Sequence, residues 1–290
     1  MPAALSDSDI AHWRAHGYVI LEGWLDADEL AQARGPVDQI HPDWGRYTAD
    51  PGRWPQAEHA WLYDHFPCET PAASLHVLNE TLADMAATLL DTGDLVVAHG
   101  ELIAKYAGTA DFEQPHHLDY GNNTMLTPPE ELEQIPFIWY FDDVTDDLGP
   151  TKVLSRQHTS HLPLTERGLP RESHPDLYEL EVSVEVPAGS LLVYSMRTYH
   201  RGSAMTAAAG ARRTGHVTFM RGDVRHAGWR DLSRAGNEAR LSELIEQATV
   251  RQRTLLGIPA PSDAYWSASR LKEAEARYPK GDWQAYRDAL

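Results

Sequence analysis

The stretch VPAGSLLVYSMRTYHRGSAMTAAAGARRTGHVTF, residues 186–219, contains two short β-like runs and the turn residues around them. Pro187-Ala-Gly189 predicts a turn, and the apolar run SLLVY directly after it predicts a strand. A second β-like run follows at Thr214 to Met220, after a stretch of small residues. No helical pattern separates the two runs, which is typical of antiparallel rather than parallel sheets.

The same pattern continues toward the N-terminus. Gly, Pro, Asp and Asn punctuate about eight short β-like runs in the middle of the chain, with no helices alternating between them. They are residues 95–98, 102–106, 116–120, 137–141, 152–154, 182–186, 190–194 and 214–220. Such a series predicts an antiparallel sandwich or a jelly roll.

Helical patterns flank this β region on both sides. They cover Ser6 to His16, Asp26 to about Ile40, and residues 78–90, 231–254 and 263–275, with a short strand at 18–21. Residues 42–75 read as an irregular segment with five prolines and three tryptophans, which favours an ordered cover over the core. We therefore expect one domain over residues 1–290. Its parts are N-terminal helices at about 6–92, a mainly β, cupin-like core at about 95–222, and C-terminal helices at about 231–290.

Bulk properties narrow the class of partner. A net charge of −18 opposes binding to a phosphate backbone, so no nucleic-acid partner is expected. No apolar stretch approaches the length of a membrane span, and the N-terminus lacks the pattern of a secretory signal. A single cysteine, Cys68, is typical of a reducing compartment. These features predict a cytoplasmic protein, a monomer or homodimer, that acts on a small molecule.

Three His-x-Asp triplets occur in the chain, together with the related His99-Gly100-Glu101. Residues two apart on a strand point to the same side, so His117 and Asp119 would converge there. The triplets that begin at His41 and His174 carry proline in the middle and are more typical of turns. His99 and Glu101 also share a face of a β-like run, so they stay open as a competing pair, with a structural role equally suited to them.

The second half of the chain favours the triplet at His117. Two imidazoles and one carboxylate, from His117, Asp119 and His200, can hold iron(II) on one face and leave positions for a co-substrate and dioxygen. An arginine beyond the second histidine could clamp the far carboxylate of 2-oxoglutarate. In the last predicted strand Arg212 lies on the polar face, whereas Arg213 lies on the other face, where we expect a surface charge.

Five segments together resemble the phytanoyl-CoA dioxygenase family of iron(II)/2-oxoglutarate oxygenases. The opening HWRAHGYVILEGWLDADEL is similar to the family's first helix, glycine and strand, and HHLDY matches its first metal motif. FDDVTDDLGPTKVLSRQHTSH resembles its charged turn and Gly-Pro segment, although Ser-Arg-Gln replaces the usual Pro-Gly-Ser. VPAGSLLVYSMRTYHRGSAM and ARRTGHVTF match the segments of the second histidine and the arginine. The resemblance covers roughly residues 8–222.

The resemblance implies a double-stranded β-helix in which His117, Asp119 and His200 bind iron and Arg212 holds 2-oxoglutarate. Lys105 and Thr151 are candidates for further contacts with the co-substrate, and the simpler interpretation is a solvent-exposed lysine and a threonine of the core. Ile138 occupies a position where some members have tryptophan, and Trp139 should face the other way.

Four residues near the metal ligands in sequence could orient them. They are Tyr120, Asn122, His116 and Tyr199. The pocket is expected to draw on the 44–66 and 121–134 segments and the C-terminal helices, with Trp61, Tyr63 and Arg197 as candidates.

The implied reaction is hydroxylation of an unactivated C–H bond in a small, biosynthetic substrate, while dioxygen and 2-oxoglutarate give succinate and carbon dioxide. Related halogenases replace the metal-binding carboxylate with a small residue, so Asp119 favours hydroxylation. Desaturation, epoxidation and ring formation stay open. The alternatives are a cupin-like protein that binds a metal or ligand without redox chemistry, and a zinc hydrolase. The latter is disfavoured because the chain has no HExxH motif.

Overall fold

Two antiparallel β-sheets form the centre of the protein in a computed structural model that describes residues 4–54, 61–110, 112–119, 133–162, 168–223 and 239–290. The larger sheet contains β1 (Tyr18–Leu21), β2 (Leu62–His65), β3 (Leu95–Tyr106), β4 (Gln134–Tyr140), β7 (Leu191–Tyr194) and β9 (Ala211–Arg221). Their order is β1-β7-β4-β9-β3-β2. The smaller sheet contains β5 (Thr151–Val153), β6 (Val182–Ser183) and β8 (His200–Gly202), in the order β6-β5-β8.

The two faces of the large sheet differ in character because side chains alternate along each strand. On one face, Phe137, Trp139, Val217 and Phe219 belong to the main apolar core, which the helices complete. The opposite face carries the polar side chains of β9 and lines a cavity. The mainly β fold with flanking helices and a jelly-roll core is therefore confirmed.

Eleven α-helices surround the sheets in the part of the chain that the structure describes. They are α1 (Asp7–His16), α2 (Ala27–Ile40), α3 (Trp44–Ala49), α4 (Pro71–Val77), α5 (Glu80–Leu90), α6 (Arg156–Thr159), α7 (Pro175–Glu179), α8 (Ala239–Gln247), α9 (Val250–Leu255), α10 (Ala268–Arg277) and α11 (Gln284–Asp288). No helix within the described ranges combines the length and the apolar character needed to cross a bilayer.

The first helix begins and ends where its sequence predicts. The Ser6 side chain accepts a hydrogen bond from the backbone of Asp9, whose carboxylate accepts one from the Ser6 backbone in return. Gly17 ends the helix with φ +83°, in the left-handed region that favours glycine. A Cβ atom there would also lie 2.5 Å from the Thr198 hydroxyl and 2.6 Å from the Arg156 side chain. Gly17 thus allows the N-terminal helix to lie against the segment just before His200.

Several predicted elements differ from the observed ones. The irregular segment 42–75 contains α3, β2 and α4, and the two runs at 95–98 and 102–106 form the single strand β3 with a register shift between Val97 and His99. Of the predicted strand 116–120, residue 120 lies outside the described ranges, and residues 116–119 form only isolated bridges, at His116 and His117. In the predicted helix 231–254, residues 231–238 lie outside the described ranges. The remainder is divided into α8 and α9 at Thr249, which forms a capping box with Gln252.

Candidate metal centre

His117 and His200 lie opposite each other across an isolated antiparallel bridge. The backbone N–H of His117 donates to the His200 carbonyl at 3.0 Å, and the N–H of His200 donates to the His117 carbonyl at 3.1 Å. Their ring centroids are 4.6 Å apart. This pair of backbone hydrogen bonds brings two imidazoles together from distant parts of the sequence.

A backbone carbonyl orients each of these imidazoles. Nδ1 of His117 lies 3.0 Å from the Pro115 carbonyl oxygen, and Nδ1 of His200 lies 3.1 Å from that of Thr198. Because a carbonyl only accepts, both Nδ1 atoms carry the hydrogen, and both Nε2 atoms keep a lone pair for a metal. Each carbonyl belongs to the residue two positions before its histidine.

Asp119 completes the group from the same side. Its Oδ1 is 3.7 Å from Nε2 of His117, and its Oδ2 is 3.8 Å from Nε2 of His200. All three ligand atoms lie within 4.8 Å of one another, and no other group of three or more such residues does so in the described ranges. Metal ligands about 2 Å from an ion lie roughly 3 Å apart, so this arrangement is slightly wider than a loaded site.

Burial sets the protonation state of the second histidine. Burial lowers the pKa of His200 to about 4, although the neighbouring carboxylate of Asp119 acts to raise it. The imidazole is therefore neutral at neutral pH. This is the form that binds a metal ion without first losing a proton.

A cavity of about 260 Å³ opens in front of these three residues. One end of it is lined by Arg212, Thr151, Trp61 and Gly202. The wall formed by β2, β3 and β9 contributes the polar side chains of His65, His99, Glu101 and His216. The candidate metal ligands thus share one cavity with a cationic end and a mixed acid–imidazole wall.

Two basic side chains lie side by side at the cationic end, because Lys105 of β3 is the register partner of Arg212 of β9. Both side chains are buried. Arg212 is 4% exposed; it donates to the Gly149 carbonyl, and its Nε has no hydrogen-bond partner. Burial lowers the pKa of both side chains. Among the described residues, neither cation forms an ion pair with a carboxylate. An unpaired buried guanidinium is costly, which indicates a site built for an anionic ligand.

Lys105 and Thr151 lie near this end in different ways. Lys105 is fully buried; its Nζ donates to the Ser203 carbonyl at 3.2 Å and lies 3.8 Å from the Trp61 ring centre. Thr151 lines the cavity, and its hydroxyl accepts a hydrogen bond from Tyr140 at 3.1 Å. An exposed lysine, the simplest expectation from the sequence, is therefore wrong.

Ile138 and Trp139 occupy the two faces of β4, as the alternation predicts. Ile138 lines the cavity, whereas Trp139 belongs to the main core on the other side. Arg213 is likewise on the face away from the cavity, but it is not the surface charge expected from the sequence. It is 4% exposed and forms two hydrogen bonds to the Asp142 carboxylate and one to Asp38.

The competing pair His99 and Glu101 forms an ion-paired group in the cavity wall. One oxygen of the Glu101 carboxylate is 3.1 Å from Nε2 of His99, and the other is 3.1 Å from Nδ1 of His65. Burial raises the pKa of Glu101, but the two imidazoles outweigh it and hold the pKa well below its usual range. These residues do not meet the geometric criterion that His117, Asp119 and His200 satisfy.

The other two His-x-Asp triplets lie at helix boundaries, as expected of turns. His41 ends α2, and the Asp43 side chain accepts from the Arg46 backbone to cap α3. His174 and Pro175 begin α7. Neither triplet belongs to a metal-binding group within the described ranges.

The predicted pocket and supporting residues divide into three groups. Trp61 and Tyr63 line the cavity. Arg197 does not, and its Nε lies 3.6 Å from Glu133 beside a separate pocket. Tyr199 packs in a small apolar cluster with Leu118, Leu154 and Leu169. Tyr120 and Asn122 lie outside the described residues, as do most of segment 121–134 and residues 55–60.

A buried carboxylate behind the metal ligands was not predicted from the sequence. Glu181 contacts His116, the residue before His117, and Arg201, the residue after His200. Burial raises the pKa of Glu181, but hydrogen bonds from these two partners bring it down to about 2. No local sequence pattern marks Glu181, because its two partners lie 65 and 20 residues away in the chain.

Comparison with known proteins agrees with the motifs. The model of the phytanoyl-CoA dioxygenase (PhyH) family matches residues 13–214, which is more than half of the chain. The chain therefore belongs to this family. A search of the curated proteins finds no match.

Solved structures with a similar fold include enzymes that depend on 2-oxoglutarate. SnoK, a non-heme carbocyclase from nogalamycin biosynthesis, has a TM-score of 0.61 and 20% identity and covers 81% of this chain and 93% of its own. The epimerase SnoN, solved with Fe3+, α-ketoglutarate and nogalamycin RO, has a TM-score of 0.56 and 18% identity and covers 74% and 83%. HygX from Streptomyces hygroscopicus, solved with nickel, 2-oxoglutarate and hygromycin B, has a TM-score of 0.55 and 14% identity and covers 78% and 97%. At these identities the likeness concerns the fold.

Proposed function

We propose that the protein is an iron(II)/2-oxoglutarate-dependent oxygenase that hydroxylates an unactivated C–H bond of a small molecule. The observation that carries this proposal is the convergence of His117, Asp119 and His200 in one cavity with the unpaired cation Arg212. We propose further that the whole chain, residues 1–290, acts as one catalytic domain. Family membership supports the first statement.

The donor set fits iron(II). Two imidazoles and one carboxylate form the facial arrangement of non-heme iron oxygenases, which leaves the remaining positions for other ligands. The hydrogen bonds to the Pro115 and Thr198 carbonyls fix both rings with Nε2 toward the cavity. When bound, iron(II) would supply the chemistry by which dioxygen oxidises 2-oxoglutarate to succinate and carbon dioxide and the substrate C–H group to an alcohol.

The residues at the cationic end would bind and orient the co-substrate. Arg212 presents a planar guanidinium with free donor capacity, which suits a bidentate contact with the distal carboxylate of 2-oxoglutarate. The Thr151 hydroxyl, fixed by Tyr140, offers a further hydrogen bond. Lys105 adds positive charge from behind Trp61 without reaching the cavity wall. Ile138 lines the cavity beside His216 of the neighbouring strand.

The cavity wall that carries His65, His99, Glu101 and His216 would face the substrate. Against the effect of burial, the nearby imidazole of His99 and a hydrogen bond with His65 hold the pKa of its Glu101 carboxylate low, so the carboxylate can accept hydrogen bonds from hydroxyl or amino groups. A cavity of about 260 Å³ has room for 2-oxoglutarate and only part of a substrate. A small polar biosynthetic molecule therefore fits this wall better than a polyanionic coenzyme A thioester. Nogalamycin RO and hygromycin B, which are bound in solved structures of similar fold, support this class.

Anaerobic addition of iron(II) and 2-oxoglutarate tests the assignment directly. We expect a weak visible charge-transfer band in the wild type and its loss in His200→Ala, because one of the two imidazoles is then missing. His158→Ala is a suitable control, since this histidine is exposed. If the wild type binds neither iron(II) nor 2-oxoglutarate, the proposed function is wrong.

The type of oxidation requires a product analysis. A screen for substrate-dependent succinate release should first identify the substrate, and mass spectrometry of its product should then show the gain of one oxygen atom. An unchanged mass would indicate epimerisation, and the loss of two hydrogen atoms would indicate ring closure or desaturation. Either of these results would retain the oxygenase class and overturn hydroxylation.

A further inference from the structure

We infer that Glu181 is a positioning residue that sets the geometry of the two metal-binding imidazoles from outside the cavity. This inference rests on the proposed function, because it assumes that His117 and His200 bind a metal ion. Glu181 lies just after α7, and its side chain is 14% exposed. Its carboxylate joins the two chain segments that carry these histidines.

The first contact is with the segment of His117. Nε2 of His116 lies 2.9 Å from one Glu181 carboxylate oxygen, and the His116 side chain is fully buried. The backbone of His116 is held as well: its N–H donates to the Tyr178 hydroxyl at 3.2 Å, and its carbonyl accepts from Leu169 at 2.7 Å. The position of His117 therefore depends on the region around α7 through its direct neighbour.

The second contact is with the segment of His200. Nε and one terminal nitrogen of Arg201 each lie 2.8 Å from a Glu181 carboxylate oxygen, in a bidentate pair. The Arg201 side chain is 2% exposed, and its guanidinium lies 5.2 Å from the Tyr178 ring centre. Such a buried pair fixes both the direction and the distance of β8 relative to Glu181.

The geometry of the bridge makes this contact relevant to the metal. His117 and His200 exchange two backbone hydrogen bonds, so the side chains of their neighbours His116 and Arg201 point to the other side of the bridge, where both contact Glu181. Glu181 binds both neighbours with one carboxylate, one in each of the two bridged segments. A change in this contact would alter the separation of the two Nε2 atoms. The side chains of Glu113 and Gln114 also join the two segments, through Arg201 and Gly202, but neither contacts His116.

A structural role alone would have a different consequence. A carboxylate that only stabilised the fold would change the unfolding transition and leave the affinity of the folded site for metal unchanged. A positioning residue changes the metal affinity and the coordination geometry of the folded protein. Groups that hold metal ligands in place typically change affinity about 10- to 100-fold when removed.

The test measures Co(II) binding to the metal-free, full-length protein, with visible d–d absorption as the readout of coordination geometry. We expect Glu181→Ala to bind Co(II) about 10-fold or more weakly than the wild type, with altered d–d bands. Glu181→Gln keeps the shape of the side chain but not the charge-assisted bidentate pair, so its affinity should lie between the two. Glu179→Ala removes an exposed carboxylate two residues away and should leave both readouts unchanged.

The outcomes separate this inference from the proposed function. If the wild type does not bind Co(II), the proposed function fails. If the wild type binds Co(II) and both folded Glu181 variants match it in affinity and spectrum, the positioning role is overturned. Circular dichroism reports the fold of each variant. Loss of the fold in Glu181→Gln as well as in Glu181→Ala would also contradict the inference, because the carboxylate would then serve the fold rather than the ligands.

Discussion

Replacement of the single side chain Arg212 should weaken the binding of 2-oxoglutarate without changing the binding of the metal. Replacing Arg212 with glutamine removes a charge-assisted contact worth about 1.5–3 kcal/mol, so the dissociation constant for 2-oxoglutarate should rise about 10- to 100-fold. Metal affinity should not change, because Arg212 is not among the metal-binding group. Anaerobic titration of the iron(II)-loaded protein with 2-oxoglutarate, followed by the visible band, measures the effect.

The stability of the same variant provides a second readout. Because the buried guanidinium has an unpaired Nε and no carboxylate partner among the described residues, its removal should not lower the unfolding free energy of the metal-free protein. Arg221→Gln is a matched control at the exposed end of β9, where the arginine pairs with Asp223. Unchanged 2-oxoglutarate affinity in Arg212→Gln would assign the cationic end to another ligand.

The metal ligands and Arg212 are the part of the site that the sequence could predict. The two-residue spacing of His117 and Asp119 indicates a shared direction, and family motifs indicate which second histidine and arginine belong with them. The segment nevertheless forms isolated bridges at His116 and His117 instead of a strand. The carbonyls of Pro115 and Thr198, and the carboxylate of Glu181, carry no signal, because backbone atoms have no sequence identity and loop contacts follow no period.

At the level of elements, the packing of β4 against β9 depends on one glycine. Gly215 is the register partner of Trp139, and a Cβ atom on it would lie 2.2 Å from the indole ring. Trp139 is 3% exposed and cannot move away without disturbing the core. Gly215→Ala should therefore lower the unfolding free energy by about 1–3 kcal/mol, as overpacked cores do. Chemical denaturation at equilibrium measures this change.

Gly35 offers the opposite case within α2. Apart from its chain neighbours, nothing lies within 4 Å of a Cβ atom built on it, and its backbone is helical. Gly35→Ala should change the unfolding free energy by less than about 1 kcal/mol, because alanine favours the helix but its Cβ meets the ring of Pro36, which disfavours a helical backbone at the residue before it. Equal effects of the two substitutions would show that backbone entropy, and not the contact with Trp139, governs Gly215.

Elements were predictable where the pattern was local. Alternation along β4 and β9 correctly assigned the faces of Ile138 and Trp139, and the cap at Ser6 located the first helix. The strand β2 within segment 42–75 was not predicted, because it is only four residues long and forms by pairing with distant β3. Short strands of this kind depend on tertiary contacts that no local window contains.

For the molecule as a whole, buried His41 couples stability to pH. Its side chain lies between α2 and the sheet, 2% exposed, with Nε2 3.2 Å from the Leu102 carbonyl. Burial lowers the pKa of His41 to about 4 in the folded state, against about 6.5 in the unfolded chain. Below pH 6.5 the unfolded chain therefore binds a proton that the folded protein does not bind.

Acidification should therefore lower the unfolding free energy. The contribution of His41 is fully present above pH 6.5, falls by about 1.4 kcal/mol per pH unit between pH 6.5 and about 4, and is constant below that. At pH 5 the folded protein should have lost about 2 kcal/mol of unfolding free energy through this residue alone.

Urea denaturation of the metal-free protein at pH 7 and pH 5 should show this loss in the wild type and in His158→Gln, which alters an exposed histidine. His41→Gln should be less stable at pH 7 but should lose about 2 kcal/mol less on acidification, because its amide cannot titrate. If His41→Gln and the wild type lose the same amount, the acid sensitivity arises from other groups and His41 is not held neutral by the fold.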